Sequence, residues 1–301
     1  MNLFGLLSDI LIGILVLDAI RNYLKNNKNI TKKYITYFVF LLGFVYTLKF
    51  IFSVTRHVSY FDPFSFPSGH TTVSIILFAV YRNPIFLLYS VVVGLLRILG
   101  GYHSFMDVFF GLFFGLVGIA IVDVLEKKIG KEAHRKLFHI GIASYTGFLL
   151  YINQYFTTIL LVISLTIGLF LYSIRTKCVV IKDLLEWYDR DFTGQGAFTL
   201  ILGILLVSLL WDKAYISAFF LAWVDGLSTI FGKLFGTREK SIYGLVGGII
   251  GGIIASLATK VNFFIGFVTA FIEYLIPKEI DDNVIIPLVV YLTYIMMYSL
   301  L

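Results

Sequence analysis

The sequence predicts an all-α membrane protein with about twelve transmembrane helices arranged in two helical domains. Of its 301 residues, 59% are hydrophobic and only 14% are charged, whereas about a quarter of the residues of a soluble domain are charged. The mean hydropathy is +0.91. Apolar runs of roughly 17 to 20 residues, the length that crosses a bilayer, recur from end to end and leave no large soluble domain.

Twelve apolar segments are candidate spans. They lie near 3–20, 35–52, 70–82, 84–100, 107–124, 137–152, 156–174, 196–211, 215–231, 242–259, 261–276 and 284–301. The first has no basic residue before it and no clear small-residue cleavage site, so we expect a span rather than a signal peptide. The third is short and is expected to be tilted or partly re-entrant. Segment 175–192, with mixed charges around Trp187 and Tyr188, is expected to form an interfacial helix.

Basic residues concentrate in the loops after the first, fifth, seventh and ninth segments, which predicts that these loops face the cytoplasm and both termini face outside. They are Arg21, Lys25, Lys28, Lys32, Lys33, Lys127, Lys128, Lys131, Arg135, Lys136, Arg175, Lys177, Lys182, Arg190, Lys233, Arg238 and Lys240. The opposite loops carry few basic residues beyond Arg56, Lys213 and Lys260. The net charge of +6 therefore indicates membrane topology rather than nucleic-acid binding. The single cysteine, Cys178, excludes an internal disulfide.

Three predicted hairpins in the first 125 residues bring ionisable side chains to the outer face. Isolated charges at span ends are commonly interfacial anchors, but this set contains the groups that phosphoryl transfer requires. Three cations can neutralise a phosphate, backbone N–H groups at a helix start can hold its oxygens, and two imidazoles can act as nucleophile and general acid. His103 and Asp107 are four residues apart, which predicts that they meet on one helical face.

The first 125 residues resemble the type 2 phosphatidic acid phosphatase superfamily through three blocks in order: Lys49-x6-Arg56, Pro67-Ser68-Gly69-His70 and Arg97-x5-His103-x3-Asp107. The resemblance implies that His103 is a nucleophile that becomes a phosphohistidine, that Asp107 is its partner, and that His70 protonates the leaving oxygen. It also implies that no metal is needed and that phosphate is bound by Lys49, Arg56, Ser68, Gly69 and Arg97. The chain departs from the pattern at His57, where the family usually has Pro, and at Leu96, where it often has Ser. Neither change removes a group that the mechanism needs.

The remaining residues carry a second set of polar positions on the predicted cytoplasmic face. Asp225, Thr229, Gly232 and Gly236 follow each other at spacings of four, three and four, so they share one helical face. Glycine-rich faces of membrane helices are often close-packing surfaces, but an aspartate inside a span is costly to bury. Acidic residues at 273, 281 and 282 could hold magnesium on a nucleotide phosphate bound by Lys240 and nearby glycines.

Residues 130–301 resemble the dolichol kinase and phytol kinase family of CTP-dependent polyprenol kinases. The matched residues are Arg135, Lys136, His139, Gly194, Gly196, Ala197, Asp225, Gly226, Gly232, Gly236, Lys240, Ser241, Gly244, Glu273, Asp281, Asp282, Asn283 and Pro287. Gln195 stands where many members have Arg. The resemblance implies CTP as phosphate donor with Mg²⁺, a nucleotide site from Lys136 to Gly244, and a metal site formed by Asp225, Glu273, Asp281, Asp282 and Asn283. It extends to CDP-diacylglycerol synthases, so cytidylyl transfer stays open.

The sequence as a whole predicts a bifunctional membrane enzyme of isoprenoid-lipid phosphate metabolism. A phosphatase domain at 1–128 would act outside on lipid phosphates or diphosphates, and a kinase domain at 129–301 would act inside on polyprenyl or dolichyl alcohols. A glycerolipid enzyme combining phosphatidate phosphatase and CDP-lipid synthase is the alternative. A transporter predicts a continuous polar path in mid-span, whereas here the polar residues cluster at span ends on two faces.

Overall fold

The computed structural model describes residues 3–55, 63–189, 194–236, 241–277 and 280–298. Within these ranges the chain is helical and contains no strand. It forms two compact units, which we call the first unit (Met1–Leu125) and the second unit (Glu126–Leu301).

The helices that build the first unit are α1 (Leu3–Leu24), α2 (Lys28–Phe52), α3 (Gly69–Ser74), α4 (Ile76–Tyr81), α5 (Ile85–Leu99) and α6 (Phe105–Ile129). Ile75 separates α3 from α4. Together with Ile75 these two helices cover only Gly69–Tyr81, about 20 Å at 1.5 Å per residue, so the third apolar segment is as short as expected. Large side chains of α2, among them Tyr37, Phe40 and Leu41, fill the core.

Two carboxylates join the helices at the end of the first unit that lies opposite α3. Asp18 on α1 accepts hydrogen bonds from the hydroxyls of Tyr34 and Tyr81. Asp123 on α6 accepts one from Tyr37 and a charge-assisted one of 2.5 Å from Arg82. These contacts tie α1, α2, α4 and α6 together, so buried polar groups at this end are satisfied.

The second unit consists of α7 (Lys131–Ile152), α8 (Gln154–Ile174), α9 (Val179–Tyr188), α10 (Gln195–Leu210), α11 (Ala214–Phe220), a π-helical turn (Leu221–Asp225), α12 (Gly226–Phe235), α13 (Ile242–Thr259), α14 (Phe263–Leu275) and α15 (Asp282–Tyr298). The continuous stretch from α11 to α12 lies at the centre, and every residue from 216 to 226 is buried. The predicted helix within 175–192 is present as α9.

Small residues let α13 pack closely against this centre. A Cβ atom at Gly251 would lie 2.1 Å from the carbonyl oxygen of Trp223, and one at Gly252 would lie 2.7 Å from Gly266 Cα on α14. Both substitutions would force the helices apart. This is the packing role that small residues have in membrane helices.

Six helices are long and apolar enough to cross a membrane: Leu3–Leu24, Lys28–Phe52, Phe105–Ile129, Gln154–Ile174, Ala214–Phe235 and Ile242–Thr259. Five shorter apolar helices accompany them, and α7 covers the remaining predicted segment. Large apolar side chains such as Leu17 and Phe170 are more than 60% exposed, as expected where a surface meets lipid. These features support a membrane protein, and the number of twelve spans stays a prediction.

Candidate active sites

His103 and Asp107 form a buried imidazole–carboxylate pair in the first unit. The Nδ1 atom of His103 lies 3.4 Å from Asp107 Oδ2, and the two side chains are 1% and 8% exposed. His103 precedes α6 instead of lying on it, so the expectation of a shared helical face is wrong. The contact comes from a capping box, in which Ser104 N–H donates to Asp107 Oδ2 at 2.8 Å and Asp107 N–H donates to Ser104 Oγ at 3.2 Å.

Ser68 has a structural role that differs from the prediction. Its backbone N–H donates to the carbonyl oxygen of Asp107 at 2.9 Å, and its Oγ accepts hydrogen bonds from Thr71. The expectation that the Ser68 N–H holds phosphate is therefore wrong for this structure, because the donor is already used. Ser68 instead fixes the start of α3 against α6.

Lys49 and Gly69 lie together beside this junction. Lys49 is buried, and its Nζ donates to the carbonyl oxygens of Phe64 and Ser65 at 2.7 and 3.3 Å. A Cβ atom at Gly69 would be 4.0 Å from Lys49 Cε. Lys49 thus joins the end of α2 to the segment that leads into α3, and it places a positive charge next to the PSGH block.

Arg97 is the second buried cation of this group. Its Nη1 donates to Ser8 Oγ at 3.2 Å and lies 3.4 Å from Asp9 Oδ1. Its guanidinium lies over the ring of Tyr102, 4.2 Å from the ring centre. The backbone carbonyl of Arg97 also accepts from the N–H of His103 at 3.3 Å, so the cation and the proposed nucleophile share one turn.

His70 lies against a carboxylate that sequence reasoning missed. Its Nε2 is 2.9 Å from Asp9 Oδ1, the same oxygen that Arg97 approaches. The side chains of His70 and Asp9 are 34% and 42% exposed, so this edge of the group is open. Contacts therefore link Lys49, Ser68, Gly69, His70, Arg97, His103 and Asp107 into one cluster. Arg56 lies outside the described residues.

The second unit contains a buried charge cluster at the π-helical turn. Lys136 Nζ donates to both oxygens of Asp225, at 2.7 and 2.6 Å, and both side chains are 5% exposed. His139 Nε2 lies 3.2 Å from Asp225 Oδ2 and 3.3 Å from the carbonyl of Leu221. Lys136, His139 and Asp225, which the sequence predicts for one nucleotide site, are thus in contact, although Lys136 and Asp225 are 89 positions apart in the sequence.

The first unit and the second unit match no family model, and no solved structure matches the chain.

Ser228 extends the charge cluster to α14. Its Oγ lies 3.3 Å from the carbonyl of Asp225 and donates to Glu273 Oε1 at 3.1 Å. Buried ionisable groups inside membrane helices are costly and commonly mark functional sites, and π-helical turns are frequent at such sites. The cluster of Lys136, His139, Asp225, Ser228 and Glu273 is therefore the candidate site of the second unit.

The predicted glycines of the second unit mark close contacts. A Cβ atom at Gly226 would meet Ile140 at 2.4 Å, one at Gly236 would meet Ser241 Oγ at 2.4 Å, and one at Gly244 would lie 3.2 Å from the carbonyl of Ser228. Gly232 lies in the same group, 3.7 Å from Ser241 Oγ by the same measure. Close packing accounts for Gly226, Gly236 and Gly244, whereas Gly232 is at an ordinary contact distance. The contact between Gly244 and Ser228 places the start of α13 beside the charge cluster.

Another predicted group forms where α10 and α15 begin. Gly194 has a positive φ of 73°, and its N–H donates to Asp189 Oδ2 at 2.8 Å. Asn283 Nδ2 donates to the carbonyl of Gly196 at 3.3 Å, and its N–H donates to Asp281 Oδ1 at 2.9 Å. These residues fasten two helix starts to each other.

The predicted metal residues are not gathered into one site in the part of the chain that the structure describes. No group of three or more His, Cys, Asp or Glu side chains there could hold a metal ion. Asp225 bonds to Lys136 through both oxygens, Glu273 bonds to Ser228, and Asp281 bonds to the backbone of Asn283, while Asp282 begins α15. The donor set therefore does not fit a resident magnesium ion, and Lys240 lies outside the described residues.

Proposed function

We propose that the first unit is a lipid phosphate phosphatase that works through a phosphohistidine on His103. The observation that carries the proposal is the buried contact between His103 Nδ1 and Asp107. Because the carboxylate lies on Nδ1, we assign the attack on phosphorus to Nε2, and the carboxylate stabilises the positive ring that forms. The chemical groups of the three sequence blocks support the same reading.

The reaction has two steps. First, Nε2 of His103 bonds to phosphorus, the bond from phosphorus to the lipid oxygen breaks, and His70 gives that oxygen its proton. Then a water oxygen bonds to phosphorus, the bond from phosphorus to Nε2 breaks, a proton of the water returns to His70, and inorganic phosphate leaves. Lys49 and Arg97 neutralise the charge that develops on the phosphoryl oxygens.

Phosphate release should survive removal of divalent cations, because the positive charge comes from side chains. We expect purified protein in detergent to release inorganic phosphate from a polyprenyl phosphate or from phosphatidate. The rate in 5 mM EDTA should be within about twofold of the rate in Mg²⁺. Release that stops in EDTA and returns with Mg²⁺ would contradict the proposed mechanism.

We further propose that the second unit transfers phosphate from CTP to a long-chain lipid alcohol. The specific observation that favours this is the buried Lys136–Asp225–His139 cluster at the π-helical turn. In the reaction the alcohol oxygen bonds to the γ-phosphorus, the bond from that phosphorus to the β-phosphate oxygen breaks, CDP leaves, and the alcohol proton is released to water. Magnesium enters as part of the Mg–CTP substrate, since triphosphates are transferred in that form.

A chain with both activities would interconvert the alcohol and phosphate forms of one carrier lipid. The distribution of basic loops favours a phosphatase site outside and a kinase site on the cytoplasmic face, where CTP is available. This sidedness separates the two opposed reactions, which would otherwise consume CTP without net product.

If the two sites lie on opposite faces of the membrane, single cysteines placed on the two predicted faces in a Cys178→Ser variant should be accessible from opposite sides. Val54, at the end of α2, and Thr176, beside Lys177, are both exposed. We expect Val54→Cys to react with an impermeant maleimide added to intact cells, and Thr176→Cys to react only after permeabilisation. Equal labelling of both in intact cells would refute opposite faces.

A further inference from the structure

Asp9 belongs to the first-unit cluster, although neither sequence block nor spacing singled it out. It lies on α1, and its Oδ1 is 2.9 Å from His70 Nε2 and 3.4 Å from Arg97 Nη1. The imidazole is the nearer partner. The neighbouring Ser8 contacts only Arg97 of these two residues, at 3.2 Å. Helix α1 therefore contributes two residues to the cluster. Asp9 contacts both His70 and Arg97, and Ser8 contacts Arg97.

The first unit thus contains two imidazole–carboxylate pairs of different exposure. The His103–Asp107 pair is buried, while the His70–Asp9 pair lies at the open edge. A buried nucleophile and a more exposed proton donor suit a lipid phosphate whose leaving oxygen remains attached to the lipid. We propose that Asp9 is a positioning residue that aims His70 and keeps it protonated as the general acid, a role that rests on the proposed phosphatase function.

A proton donor must carry its proton at the working pH. An isolated histidine has a pKa of about 6.5 and is mostly neutral above pH 7, whereas a carboxylate within hydrogen-bonding distance favours the charged ring. Among the described residues, the charged side chains of the cluster around His70 are Asp9 on α1, Lys49 on α2, Arg97 on α5 and the His103–Asp107 pair at the start of α6. The cations oppose protonation of His70, so the carboxylate of Asp9 has a specific electrostatic task.

The side chains of His70 and Asp9 are both partly exposed, and exposed ion pairs have small net free energies. The effect of removing the Asp9 carboxylate should therefore appear in catalysis. We expect Asp9→Asn, which keeps the side-chain shape, to move the alkaline limb of the kcat profile down by about one pH unit. At pH 7.5 kcat should fall about tenfold, with a smaller loss at pH 6. Asp9→Glu should restore part of the loss, since it returns the charge.

Ser8→Ala is the matched control, because Ser8 contacts Arg97 without contacting His70. It should alter KM for the lipid phosphate and leave the alkaline limb in place. A second control, Asp18→Asn, makes the same substitution at the other end of α1 and should also leave the limb in place. A shift of the alkaline limb in either control would show that any change in α1 alters the pH profile, and would overturn the specific role of Asp9.

A readout independent of turnover separates this inference from the proposed function. Protein labelled with ¹⁵N-histidine contains only five histidines, and His70→Ala identifies the His70 signal. We expect its titration midpoint in Asp9→Asn to lie about one unit below that of the wild type. An unchanged midpoint and pH profile would overturn the role of Asp9 and leave the phosphatase proposal standing. No phosphate release by the wild-type protein would overturn the phosphatase proposal itself, whatever the titration shows.

Discussion

Replacing His103 by alanine should reduce lipid phosphate hydrolysis by at least about 10⁴-fold, because the proposed mechanism forms its covalent intermediate on this imidazole. Asp107→Asn should cost about 10² to 10⁴-fold, since the imidazole remains but loses the carboxylate on Nδ1. The measurement is release of inorganic phosphate from a polyprenyl phosphate by purified protein. The graded series distinguishes a nucleophile from a residue that only binds substrate.

Two controls keep the His103 result interpretable. His103→Gln preserves much of the buried volume and should be as inactive as His103→Ala, so loss of packing cannot account for the effect. CTP-dependent phosphorylation by the same variants should stay within about twofold of the wild type, because the cluster of the second unit is formed by other residues. Phosphate release by His103→Ala at the wild-type rate would contradict the assignment of the nucleophile.

Replacing Asp225 by asparagine should have a large effect on both stability and activity of the second unit. Lys136 bonds to both carboxylate oxygens and is buried, so removing one partner leaves a charge without compensation. The expected cost in the free energy of unfolding is about 3 to 5 kcal/mol. CTP-dependent lipid phosphorylation should disappear while phosphate release by the first unit persists.

A double variant separates stability from chemistry. Lys136→Met together with Asp225→Leu removes both charges and keeps apolar volume, which is commonly neutral or stabilising for a buried pair. We expect its melting temperature to recover relative to Asp225→Asn, with no return of CTP-dependent activity. A double variant that phosphorylates lipid at the wild-type rate would show that the charge cluster is only structural.

The product of the CTP reaction distinguishes the kinase from the cytidylyltransferase alternative. A kinase releases CDP and leaves one phosphate on the lipid, whereas a cytidylyltransferase releases pyrophosphate and leaves CMP attached. Chromatography of a reaction with base-labelled CTP therefore decides between the two. Label found in the lipid would exclude the kinase that we propose.

Much of the helical architecture could be predicted from hydropathy alone. Each predicted apolar segment contains a helix, because backbone groups in an apolar segment must be satisfied internally. The break at Ile75 and the π-helical turn at Leu221–Asp225 could not be predicted. Both depend on how neighbouring helices pack, and no local residue pattern encodes them.

The candidate sites were predictable where the partners are close in sequence or carry a recognisable block. The sequence predicted that His103 and Asp107 meet, but the geometry differs from the prediction, because a capping box and not a shared helical face forms the contact. The partners of Asp9 are 61 and 88 positions away. No local sequence pattern therefore indicated that this acidic residue of an apolar helix belongs to the cluster. The predicted N–H of Ser68 is used by a carbonyl 39 positions away, which only the tertiary structure reveals.

Trapping the phosphoenzyme tests the central claim most directly. Purified protein is mixed with ³²P-labelled polyprenyl phosphate and quenched in alkali at times that cover one turnover, and the labelled peptide is mapped. We predict label that is stable in alkali and labile in acid, located on His103 and missing from His103→Ala. Label on another residue, or turnover with no protein-bound phosphate at any time within the first cycle, would contradict the phosphohistidine mechanism.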